Sequence, residues 1–237
     1  MMVSRKKQFL LVFAAFFVLG AAFKVMVLVE GLTEVRPVNA IPPVAGLAFG
    51  PVGALACAVG NLAADLFGTF DWTSILGLVG NFIAAYLPYR LWYLFSKENP
   101  NLHRNGNILL FLAICMVSAF TVAWLLSFGL YIFFGLWLEQ IYTYVFFNNL
   151  GFSVFFGMPM LIVLTSDSID IKCCKPAPHF ILGGVRKKLR YPICVLYLLL
   201  MAVVFVFVCC LHTAPMNAPW LVALSGLSFA LLLCQMI

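Results

Sequence analysis

Residues 34–90 read EVRPVNAIPPVAGLAFGPVGALACAVGNLAADLFGTFDWTSILGLVGNFIAAYLPYR. Within this run Glu34, Arg36, Asn39, Asn61, Asp65, Asp71, Asn81 and Arg90 are set among Gly, Ala and Pro. On either side lie long apolar runs rich in Phe, Leu and Val. A charged or amide group in hydrocarbon costs several kcal/mol unless it is paired or lines a cavity. The cluster therefore marks a binding or translocation site, and its surroundings read as membrane-spanning helices.

The segment also fixes the local architecture. Pro42-Pro43 opens an apolar stretch and Gly50-Pro51 interrupts it. Proline cannot continue the helical ladder, so the pattern predicts a short second helix, a turn near 50–51 and a third helix to about 68. A fourth helix follows over roughly 73–95. About 20 apolar residues cross a bilayer. On that ruler the first helix covers 8–30, the fifth 107–136 and the sixth 142–165. Two further spans cover 192–212 and 217–236. The expected fold is an all-α, polytopic integral membrane bundle: a six-helix core over 1–165, a basic segment over 166–190, and a C-terminal hairpin over 191–237.

Composition agrees. The chain is 65% hydrophobic and 9% charged, against about 25% charged in soluble domains. Its net charge of +6 does not point to nucleic acid. The basic residues fall in short clusters: Arg5, Lys6, Lys7; Lys97, Arg104; and Lys172, Lys175, Arg186, Lys187, Lys188, Arg190. All land on one side of the predicted helices, which makes that side cytoplasmic, along with the N-terminus.

The polar groups converge at the opposite, outer side. Glu34, Arg36 and Asn39 fall on the first outer loop, and Asp71 and Trp72 on the next. Asn61 and Asp65, four apart, share a helix face near its outer end. Asn81 lies within the fourth helix, and Asn148 and Asn149 about two turns below the outer end of the sixth. Amides read donor and acceptor edges, a ring stacks, and charges pair, a mixture suited to a small polar ligand. The competing role for Arg36 is to pin the loop on Asp65 or Asp71. Lys24 reads as a lysine snorkelling from the first helix, and Arg90 with Trp92 and Tyr93 as an inner interfacial anchor.

Ala56, Gly60, Ala64 and Gly68 give the third helix a small-residue face, which reads as internal packing, the alternative being a docking surface for another membrane protein. Val59-Gly60-Asn61 and Val79-Gly80-Asn81 echo one another, as two helices each needing a close approach beside an amide. The eight cysteines mostly fall in apolar runs. Cys173 and Cys174 with His179 lack zinc-ligand spacing, so no metal is expected. No catalytic triad, phosphate loop or cofactor motif appears, which argues against an enzyme and leaves any uphill transport to a separate ATPase.

The run from Arg36-Pro37 through Phe49-Gly50-Pro51 and Gly60-Asn61-Leu62 to Asp65-Leu66-Phe67-Gly68, followed by residues 72–92, resembles substrate-binding (S) components of energy-coupling factor transporters. The likeness covers roughly residues 8–165. It implies a bacterial plasma-membrane protein that captures a vitamin or similar micronutrient near the outer surface. It also implies a partner module of one coupling membrane protein and two ATPases, and contact with membrane lipid. The last two helices exceed the family's six-helix pattern, and the first lacks a clean Ala-x-x-x-Ala motif. Two rival readings stand beside this one: a membrane-embedded enzyme acting on a lipid or prenyl substrate through Glu34, Asp65 and Asp71, and a stand-alone facilitator.

Overall fold

The computed structural model describes residues 4–30, 33–68, 70–166, 169, 173–175 and 184–234. Among them the chain is nearly all helical. Eight helices follow one another: α1 (Arg5–Ala22), α2 (Ile41–Phe49), α3 (Pro51–Asp65), α4 (Ser74–Phe95), α5 (Asn105–Phe134), α6 (Glu139–Leu164), α7 (Gly184–Phe205) and α8 (Pro219–Cys234). A π-helical turn over Ser153–Gly157 interrupts α6, and another over Val206–Cys210 continues α7. Among the described residues, three helices are long and apolar enough to cross a membrane: α5, α6 and the 188–210 stretch of α7 with its π turn. Most of the 166–190 segment, including Lys172 and His179, lies outside the described residues.

The first helix is shorter than its hydrophobicity predicts. It ends at Ala22, and the chain turns into an antiparallel pair, β1 (Val27–Val29) and β2 (Thr33–Glu34), with Val27 opposite Glu34. Val25, Val27 and Val29 are β-branched, and crowding at Cβ favours the extended backbone. The bend also carries Lys24 off the helix and toward its acidic partners.

The expected break between α2 and α3 is present. A 3₁₀ turn over Pro37–Ala40 leads into α2, whose Pro42 and Pro43 occupy the first turn, where no intrahelical donor is missed. Gly50 adopts φ 59°, ψ −134°, and Pro51 starts α3. The three short elements pack through glycine. A Cβ on Gly46 would collide with the Ala85 carbonyl of α4, and one on Gly53 with the Ala45 carbonyl of α2.

Two clusters form the interior. The smaller one joins α1, α2 and α3 around Phe16, Ala56 and Cys57, with an added Cβ on Gly60 lying 3.0 Å from Phe16. The small face of α3 thus packs against α1. The larger cluster fills the space among α4, α5, α6, α7 and α8, with Trp92, Phe111, Phe128, Tyr142 and Tyr197 fully buried. Trp92 donates Nε1–H to the Glu98 carbonyl at 3.0 Å, and Arg90 is buried as well. Both therefore belong to the protein interior rather than to an interfacial belt.

Candidate functional site

At the end of the bundle where α3 stops and α4 begins, the polar residues meet around Lys24. Its Nζ lies 3.0 Å from Glu34 Oε1 and 2.7 Å from Asp65 Oδ1. The three side chains are 9%, 5% and 8% exposed, so this is a buried ion triad and not a surface pair. Lys24 is thus no snorkelling lysine. It ties the β2 strand to the last turn of α3, where a cation also complements the helix dipole.

Asn61, one turn earlier on α3, continues the network. Its Nδ2–H donates to Asp65 Oδ2 at 3.0 Å, and its Oδ1 accepts from Arg36 Nη2. The i, i+4 spacing read from the sequence places both side chains on one face, as helical geometry requires. Arg36 is therefore held by an amide, while the carboxylates go to lysine. Asn148 of α6 clamps the backbone of the same loop: its Nδ2–H donates to the Glu34 carbonyl at 2.9 Å, and its Oδ1 accepts from Arg36 N–H at 3.3 Å. Below it, Ser153 at the π turn donates to the Asn39 carbonyl at 3.2 Å, and Asn39 itself is buried in the 3₁₀ turn.

A cavity of about 50 Å³ opens beside the triad. Its lining is polar at Lys24, Thr33, Glu34, Arg36, Asp65, Thr73 and Ser74 and apolar at Leu76, Leu126, Leu130, Ile141 and Val145. Such a space holds about three or four waters. A vitamin-sized molecule would enter only if the loop 23–40 or the α3–α4 turn moved.

Four of the sequence-derived candidates sit elsewhere. Asp71 is exposed and stabilises the α3–α4 turn, its Oδ1 accepting from Thr73 N–H at 2.6 Å. Trp72 is 82% exposed. The side chains of Asn81 and Asn149 are buried and donate to carbonyls one turn back on their own helices, Gly77 at 2.9 Å and Val145 at 2.8 Å. The echoed Gly-Asn pairs are therefore alike in their glycines, Gly60 against Phe16 and Gly80 against Leu126, but not in their amides. Thr33, Thr73 and Ser74 are polar lining residues that the sequence reading did not single out, and Lys24 is one that it took for a snorkelling lysine. For Lys24 the signal was there: a lysine inside an apolar run marks a functional position by default.

No group of three or more His, Cys, Asp and Glu residues gathers as a metal site among the described residues. Comparisons with protein-family models, with curated proteins and with solved structures find no match to this chain.

Proposed function

We propose that this chain is the membrane substrate-binding subunit of an ATP-driven importer, capturing a small, polar, vitamin-like molecule near the outer surface. In this reading the chain is a polytopic bundle in a bacterial plasma membrane, with its basic clusters inside. A separate coupling protein and two ATPases deliver the cargo inward.

The observation that carries the proposal is the half-polar, half-apolar cavity beside the Lys24–Glu34–Asp65 triad. Buried charges in an apolar bundle are retained where they line a site or pathway. Here they come from the bend after α1, the β2 strand and the last turn of α3, three elements that meet beside the cavity. The resemblance of residues 36–68 to energy-coupling factor S components supports the same reading.

The test is native mass spectrometry of the gently purified protein. A co-purified polar small molecule, retained by the wild type and lost in Asn61→Ala, is the expected result. A bound isoprenoid turned over by the purified chain would replace the importer with an enzyme. Uptake into vesicles holding this chain alone, without ATP, would make it a facilitator.

A further inference from the structure

We propose that the cavity selects a ligand of no net charge and that Lys24 sets this preference. The inference rests on the capture reading above and names the class of molecule captured.

The charges lining the cavity cancel. Lys24 and Arg36 supply two positive groups, and Glu34 and Asp65 two negative ones. The helix ends cancel too. α3 ends at Asp65 and α4 begins at Ser74, beside the same cavity, and such termini carry partial charges of about half a unit of opposite sign. The other acidic groups nearby in sequence, Glu30 and Asp71, are exposed and do not line the space. The rest of the lining, Leu76, Leu126, Leu130, Ile141 and Val145 among it, offers no counter-charge.

The existing pairings make this balance selective. Lys24 Nζ holds Glu34 at 3.0 Å and Asp65 at 2.7 Å. An anion entering the cavity would draw Lys24 off one of these carboxylates or pull Arg36 from Asn61. A cation would strip Glu34 or Asp65 from Lys24. Either event leaves a buried charge short of its partner, and that penalty is of the same order as the attraction gained. With the α3–α4 turn displaced, a molecule without net charge meets the polar side chains of Thr33, Thr73 and Ser74 and the edges of the network while the triad stays closed. Its apolar part then rests on the leucine, isoleucine and valine side chains of the lining. Lys24 is a positioning and selectivity residue in this scheme: without it, two carboxylates would face the cavity against one arginine.

The deciding experiment is equilibrium dialysis of the full-length protein against an equimolar mixture of water-soluble vitamins, nucleobases and amino acids. The mixture contains neutral, anionic and cationic members of similar size, and retained species are read by mass spectrometry. The expected result is retention of a species with no net charge at pH 7. Lys24→Met is expected to weaken that retention by about tenfold or more and to favour cationic members. Glu34→Gln, nearly isosteric, is expected to shift retention toward anions, and it serves if Lys24→Met does not elute as a folded protein. Retention of a charged species by the wild type would overturn the inference while leaving the capture reading standing. Retention of nothing would overturn the capture reading, and the inference with it. An unchanged profile in the folded variants would remove Lys24 and Glu34 from any role in selectivity.

Discussion

Asn61 occupies its place because Gly77 has no side chain. An added Cβ at Gly77 would lie 2.8 Å from Asn61 Nδ2 and 3.6 Å from Asp65 Oδ2. The α3–α4 contact is therefore cut to admit an amide, and that amide bridges Arg36 and Asp65. Gly77→Ala separates packing from function. Within a helix alanine is favoured over glycine by about 1 kcal/mol, while the crowded amide must turn away from Arg36. The expected outcome is an unfolding temperature within a few degrees of the wild type, together with ligand retention weakened about tenfold or more. Parallel thermal-unfolding and dialysis measurements check it. Equal losses in both would reduce Gly77 to a packing residue.

The helix break at Gly50 shows what sequence can and cannot reveal about an element. Phe49-Gly50-Pro51 announces itself, because proline and glycine carry their backbone constraints locally. The end of α1 does not. Residues 8–30 are apolar apart from Gln8, Lys24 and Glu30, so hydrophobicity alone runs the helix through. What stops it at Ala22 is a long-range partnership, Lys24 reaching Asp65 41 residues away, together with the local pairing of β1 with β2. At Gly50 the strain is testable. Its φ of 59° with ψ −134° is a region that L-residues avoid, costing about 1–3 kcal/mol for a side chain. The site is crowded too, since an added Cβ would lie 3.1 Å from Cys174 Sγ and 3.2 Å from Tyr89 Cε2. Cys174 also donates its N–H to the Ala48 carbonyl at 3.0 Å, satisfying an acceptor that the break leaves open. Gly50→Ala is expected to destabilise by at least about 1–3 kcal/mol in chemical unfolding. Adding Cys174→Ala removes the Sγ contact but neither the Tyr89 contact nor the backbone strain, so the double variant is expected to recover only part of the loss. Full recovery would show that crowding alone set the cost.

Across the whole molecule, the convergence of polar groups at one end was legible, because helix spacing and loop positions place Glu34, Arg36, Asn61, Asp65 and Asn148 together. The ion triad was not, since no local pattern tells which carboxylate a lysine will choose. Nor was the attachment of the last two helices, where single polar contacts at several levels add to the apolar packing. Arg190 Nη1 donates to the Leu94 carbonyl at 2.6 Å, Thr121 and Tyr197 share a hydrogen bond at 2.7 Å, and Trp124 Nε1–H donates to Ser225 Oγ at 2.7 Å. At the triad's end of the bundle, His212 Nδ1 lies 3.0 Å from Glu139. These contacts make α7 and α8 part of the larger core rather than a satellite. Ser225→Ala tests this, because it leaves the buried Trp124 N–H without its acceptor, a loss of about 1–3 kcal/mol. Paired with Trp124→Phe in a double-mutant cycle, the coupling is expected near 0.6 kcal/mol and below about 1.7, the range found for interhelical bonds in membranes. The useful reporter is Cys57, fully buried in α3 on the far side of the bundle. If the hairpin folds with the core, Ser225→Ala shifts the denaturant midpoint at which the Cys57 thiol becomes labelled, read by peptide mass spectrometry. If that midpoint stays fixed while labelling of Cys194 in α7 moves, the hairpin unfolds by itself and the core ends at α6.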